Sequence, residues 1–213
     1  MGIGGGGDVA GALAAAGAAE RLGTPAELGG ITWERRPIDP LPGPRTLDEV
    51  AGARRIGHGT DIAWERDARG TLAMMAARGV AVEHCLTSAD VILGVRGAAH
   101  PWALYHDAGV AQVLCADDEG VARSDLSREY LRAVQDFAPG WTELKALARN
   151  ALAHSFLPGA SLWERGAMNA ACRAEAPGAE RPGAACAAWL ATSERAREQW
   201  GLEGALRRFE AMW

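Results

Sequence analysis

Lysine is almost missing from this chain: Lys145 is the one lysine among 22 basic residues, set against 27 acidic ones for a net charge of -5. Without a basic stripe there is no electrostatic footprint for a phosphate backbone, which excludes nucleic acid as an expected partner. Long apolar runs are missing too. No window approaches the ~20 consecutive apolar residues that span a bilayer, so no membrane partner is expected. The N-terminal "MGIGGGGDVAGALAAAG" has neither a basic lead nor a strongly apolar centre, and the chain reads as soluble and cytoplasmic. Cysteine is sparse, and Cys85, Cys115, Cys172 and Cys186 contain no CxxC pair. That spacing excludes zinc ribbons and fingers, and the four residues read as reduced core thiols.

What is present supports a packed domain. The 213 residues are 48% hydrophobic, enough to bury a core. Residues 1–45 form a Gly/Ala/Pro-rich lead: the glycines Gly4 to Gly7, a helix expected over Ala10 to Leu22, and the loop "PIDPLPGP". The glycine cluster lacks a following Gly-Lys-Ser/Thr, so it reads as a flexible lead and not a phosphate cradle. Residues 46–213 show a βα rhythm, with strands expected near 55, 83 and 113 and helices over Asp67 to Arg78, Pro101 to Ala108, Ser124 to Gln135 and Thr142 to Ala153. Strands each followed by a helix imply an α/β fold with parallel pairing and right-handed crossovers. The last 55 residues read as helical around a break at Pro177 to Gly183, with Ser193 as an N-cap and Trp189, Trp200 and Trp213 as packing residues.

Chemistry gathers where strands end. In "RRIGHGTD" His58 lies between two glycines, directly after the first strand; "CLTS" ends the second, and Asp117 with Asp118 ends the third. Parallel α/β folds place their working side chains at such carboxyl ends. Adjacent carboxylates repel, and a divalent cation, a proton or strong donors let them coexist. The competing reading makes Asp117, Asp118 and Glu119 a solvated turn or helix cap, and His58 a hydrogen-bonded structural residue. His84 reads as a core or exterior histidine, and His100, His106 and His154 as structural or surface residues, since none pairs with another at i, i+4.

Five segments, "ARRIGHGTD", "VAVEHCLTSADVILGV", "AAHPWALYHDAGV", "VLCADDEGVARSDLSREY" and "LKALARNALAHSFLPGASLW", resemble in order and spacing the adenosine deaminases of the amidohydrolase superfamily, over roughly Thr46 to Trp163. The resemblance implies the C-terminal part of a (β/α)8 TIM-type barrel, incomplete here, and zinc-dependent hydrolytic deamination of adenosine or a related aminopurine. It implies that His58 orients and helps deprotonate the attacking water, that Asp117 is a metal ligand and that Asp118 binds a ring nitrogen of the substrate. The family's other zinc ligands are histidines from a His-x-His and a His-Ala-Gly-Glu segment. Neither motif occurs among the five histidines here; Glu34, 24 residues before His58, is the candidate for the glutamate. With Asp117 as the one inherited ligand, zinc is expected not to bind this chain, and a truncated or degenerate, inactive relative stands as the alternative. The expected partners are a purine nucleoside and, through an exposed sheet edge, a second copy or an N-terminal fragment.

Overall fold

The computed structural model describes residues 54–164 and 166–213; the lead over 1–45 and Glu34 lie outside the described residues. The chain divides into two compact units, one ending at Ala138 and the other running from Pro139 to Trp213.

The first unit is an α/β layer. Strands β1 (Arg55–Gly57), β2 (Ala81–His84) and β3 (Gln112–Leu114) form a parallel sheet in the order β1-β2-β3. Register pairs Ile56 with Val82 and His84 with Leu114. Between β1 and β2 runs α1 (Ala68–Arg78), entered by Asp67, whose carboxylate accepts the Gly70 N–H at 2.9 Å, and closed by Gly79 at φ 64°. A side-chain N-cap and a left-handed glycine stop are what that sequence calls for. The apolar face expected from the helical spacing does turn inward: Leu72 and Met75 are buried and Ala76 packs beside them, with Val80, Val82, Tyr105 and Val110 completing the core.

After β2 the chain turns at once into α2 (Leu86–Leu93), a helix the sequence reading left unassigned. Then follow α3 (Trp102–Asp107), β3, the single turn α4 (Glu119–Ala122) and α5 (Leu126–Phe137). Helix α5 is tied to α2 by polar contacts. Glu129, fully buried, accepts the Thr87 N–H at 3.1 Å and the Ser124 hydroxyl at 3.2 Å, and Arg132 pairs with Asp90 at 2.6 Å. Glu129 thereby satisfies an N–H in the first turn of α2, where a negative charge also suits the helix dipole. Three strands do not close a barrel, and among the described residues no further strand joins this sheet.

The second unit contains α6 (Trp141–Ala153), a short antiparallel pair β4 (Trp163–Glu164) and β5 (Ala167–Met168), α7 (Ala184–Leu190) and α8 (Glu194–Glu210). Ser193 caps α8 as its sequence suggests, accepting the Ala196 N–H at 3.1 Å. Two expectations are corrected here. Cys172 and Cys186 are joined in a disulfide instead of being reduced thiols. The segment between them is dominated by turns and by Gly, Pro and Ala, which bury little apolar surface, so the crosslink supplies the restraint that packing does not. Trp200 is buried and donates from its indole to Ala179 O at 3.0 Å, but Trp213 is 93% exposed and packs into no core. No helix among the described residues is long and apolar enough to cross a membrane.

Candidate functional site

The parallel register sets the site. Gly57, His84 and Leu114 are the last residues of the three strands, so His58, Cys85 and Cys115 leave the sheet along one edge. The pairing continues past the strands: His58 N–H donates to Glu83 O at 2.8 Å, and Cys115 N–H to His84 O at 3.0 Å.

On that edge His58, Cys85 and Asp117 converge, their donor atoms all within 4.8 Å of one another. His58 Nε2 lies 3.8 Å from Asp117 Oδ2, with the side chains 20% and 27% exposed, while Cys85 is buried. The backbone is forced to deliver two of the three. His58 and Asp117 sit in the left-handed region, at φ 61° and 54°. For non-glycine residues that conformation costs on the order of 1 kcal/mol or more each, and such strain gathers at functional positions.

The glycine after His58 has its own reason. Gly59 is at φ 60°, a Cβ there would overlap the Tyr105 hydroxyl and lie 2.8 Å from Val82 Cγ2, and Tyr105 donates to Gly59 O at 2.8 Å. The room around His58 is therefore room for the backbone, which is pressed against the buried Tyr105. Burial holds the Tyr105 phenol well above its usual range, so it stays a donor. Arg55 pairs with Glu83 across β1 and β2 just below the site.

Asp118 stands at the N-cap of the four-residue α4, yet its carboxylate makes no capping hydrogen bond, and the residue is exposed. The turn reading of Asp117 to Glu119 holds for the backbone only. Neither aspartate side chain is used to cap the helix.

Cys115 belongs to the same edge. The Cys85 S–H donates to the Cys115 sulfur, and Asp117 N–H also points at that sulfur at 3.5 Å. These donors draw the Cys115 thiol down to about 6, while the same contact and burial push Cys85 far up. Sequence reading places Cys85 at a strand end with the rest of "CLTS" but gives it no metal-binding role, taking the thiol as a reduced core cysteine. Cys85 directly follows β2, as His58 directly follows β1.

The other histidines lie elsewhere. His84 is fully buried, its Nε2 2.8 Å from Gln112 Oε1 and its ring among His100, Trp102 and Tyr105. His100 is buried as well, and both its ring nitrogens lack a hydrogen-bond partner among the described residues. His106 is exposed and 3.2 Å from Asp107. His154 lies in the second unit.

An imidazole, a thiol and a carboxylate whose donor atoms lie within 4.8 Å of one another suit in kind a borderline-soft divalent cation such as zinc, which takes N, S and O donors with three protein ligands in catalytic sites. The set does not suit magnesium or calcium, which demand oxygen.

Comparison with known proteins gives partial matches. A family described as "Protein of unknown function (DUF1152)" matches residues 1–106, which include His58 and Cys85 but stop before Asp117. Among curated proteins, adenosine deaminase of Enterococcus faecalis is 32% identical over 117 residues, covering 54% of this chain and 34% of that protein. N6-methyl-AMP deaminase of Danio rerio is 31% identical over 113 residues, covering 49% and 30%. Among solved structures, the N6-methyl-AMP deaminase of Arabidopsis thaliana is 32% identical with a TM-score of 0.42, covering 49% of this chain and 30% of that one. The adenine deaminase of Arthrobacter aurescens is 22% identical with a TM-score of 0.46, covering 52% and 33%. The chain spans about a third of the length of the curated relatives it matches. Over about half its length this chain is therefore similar in sequence to adenosine and N6-methyl-AMP deaminases.

Proposed function

We propose that this chain carries the C-terminal strand-end face of a zinc-dependent hydrolase that deaminates adenosine or a related aminopurine, releasing ammonia, and that its first unit is part of a (β/α)8 barrel. The observation that carries the reading is the convergence of His58 and Asp117 past the carboxyl ends of β1 and β3, the two outer strands of one parallel sheet, in a chain about a third identical to deaminases over half its length. Asp117 would hold the metal. Zinc, when bound, supplies Lewis acidity that brings water toward ionisation at neutral pH.

The chain's own residues do the rest. His58, half-buried and 3.8 Å from Asp117, accepts a proton from the attacking water and can return it to the leaving amine. Asp118, with its carboxylate spared from capping, hydrogen-bonds a purine ring nitrogen and so fixes the ring's orientation. Glu34 would protonate the ring.

A second reading rests on a specific observation: the sequence has no His-x-His, so this chain by itself lacks the histidine ligands that the family resemblance calls for. Here the chain is a scaffold or interaction partner, joined through its sheet edge to a second copy or an N-terminal fragment. Ammonia release from adenosine and methylamine release from N6-methyl-AMP, with added zinc, test both readings. Turnover abolished by Asp117→Ala and Asp118→Asn supports the hydrolase. Release no faster than the buffer blank, at every zinc level, sinks it in favour of the scaffold.

A further inference from the structure

The thiol of Cys85 has no task in the hydrolase just described, yet its sulfur sits within 4.8 Å of the donor atoms of both His58 and Asp117. We propose that Cys85 is a direct metal ligand, and that Cys85, Asp117 and His58 form a three-donor zinc site of mixed sulfur, oxygen and nitrogen character in this chain.

The geometry is of the right size. Zinc bonds of about 2.0 Å to nitrogen and oxygen and 2.3 Å to sulfur place tetrahedral donors roughly 3.3–3.8 Å apart. His58 Nε2 and Asp117 Oδ2 are already 3.8 Å apart, and closing the set from 4.8 Å requires only side-chain adjustment. The three donors come from the ends of three strands whose spacing the hydrogen-bonded sheet fixes. Two of them, His58 and Asp117, are held in left-handed backbone that solvated polar residues do not require.

On binding, a sulfur–metal bond forms and the S–H bond of Cys85 breaks, its proton passing to solvent; no electron is transferred. Cys115, which takes the Asp117 N–H at 3.5 Å, then lies beside the new thiolate, a neighbour that can orient and tune the ligand. A sulfur ligand supplies what the missing histidines do not, a third strong donor. It also changes the role of His58. A ring nitrogen bound to metal cannot at the same time take a proton, so a chain loaded through all three donors is expected to bind zinc without turnover. The proposal concerns ligation only, and stands or falls apart from purine chemistry.

The test uses the full chain, reduced with a phosphine and titrated anaerobically with cobalt(II), then with zinc. The expected result is one equivalent of cobalt with a sulfur-to-cobalt charge-transfer band in the near ultraviolet, displaced by zinc and not by magnesium. Cys85→Ser, checked for native circular dichroism, is expected to lose the band and to weaken zinc binding by more than the ~10–100-fold that removing a ligand's hydrogen-bond partner costs. Cys115→Ser is expected to keep the band. Loss of the band in Cys115→Ser with retention in Cys85→Ser overturns the assignment, as does the absence of any stoichiometric cobalt uptake by the unmodified chain. Should Cys85→Ser misfold, extended X-ray absorption of the zinc-loaded unmodified chain decides: one sulfur neighbour supports the proposal, none defeats it. Zinc-dependent ammonia release that is unchanged in Cys85→Ser would sink the ligand set while sparing the hydrolase reading, and tight zinc uptake without release would do the reverse.

Discussion

The two units of this chain treat the same element, sulfur, in opposite ways. In the first unit Cys85 and Cys115 remain free thiols at the ends of adjacent parallel strands, and the Cys85 sulfur lies within 4.8 Å of a histidine and a carboxylate donor. In the second, Cys172 and Cys186 are consumed in a crosslink at the centre of an apolar cluster with Leu162, Met168 and Leu190. One unit gathers its reactive groups along a sheet edge and carries backbone strain beside them. The other spends its cysteines on holding a turn-rich segment together. Placement relative to the secondary structure decides which: a cysteine at a strand end is fixed by the sheet without a bond, whereas one in a loop is fixed by the bond itself.

The largest expected effect breaks this comparison on the second side. Reduction, or the pair Cys172→Ala and Cys186→Ala, opens a loop closed across 14 residues, and chain-entropy arithmetic puts the loss at about 3 kcal/mol of stability. Calorimetry with and without reductant should show a transition that moves down sharply. An unmoved profile would mean that packing, and not the crosslink, restrains the segment.

A comparable loss is expected in the first unit from a polar residue. Glu129→Ala leaves the Thr87 N–H and the Ser124 hydroxyl without their acceptor in a buried place, costing about 2–3 kcal/mol in chemical denaturation. Glu129→Gln should recover part of it. Tyr105→Phe is the milder test of the His58 loop: it deletes one hydrogen bond to Gly59 O, worth about 1 kcal/mol. Its sharper readout is cobalt or zinc affinity, which should fall as the loop loosens.

The smallest effect per step is a pH dependence carried by the first unit. Burial, then repulsion from His100, depresses His84 to about 3 against the aid of Gln112, and burial depresses His100 to about 4 against the pull of Asp136. Both imidazoles bind protons more weakly in the fold than in the unfolded chain, so the unfolded state gains protons first. Stability should be full above about 6.5 and decline as pH falls toward 4 and 3. Denaturation midpoints for His84→Gln and the unmodified chain, compared between neutral and acid pH, should converge as the pH drops. Parallel curves would show that these rings do not carry the dependence.

How far these features were legible in the sequence follows from the range of the forces involved. Helix α1 could be read to within a residue because its signals are local: Asp67 to start it, Gly79 to stop it, and Leu72 and Met75 one turn apart. The positions of His58 and Asp117 followed from strand ends. Cys85 in "CLTS" is placed the same way, but its part in the cluster depends on β2 lying between β1 and β3, a pairing of residues about 30 apart that no local pattern encodes. Helix α2 was lost for a related reason. It begins directly after β2, and its apolar "CLTSADVIL" reads equally as strand. The Cys172–Cys186 bond was missed because spacing alone does not determine pairing.

The left-handed backbone at His58 and Asp117 has a consequence for how this protein would respond to selection in the laboratory. Glycine is the residue that such torsions favour, so His58→Gly and Asp117→Gly are each expected to raise the denaturation midpoint relative to the matching alanine variants, by about 1 kcal/mol. A library screened for heat resistance alone would therefore drift toward glycine at the two places where the donors stand. Screened for metal retention, the same library would refuse that exchange, and the two enriched sets would part at these two codons.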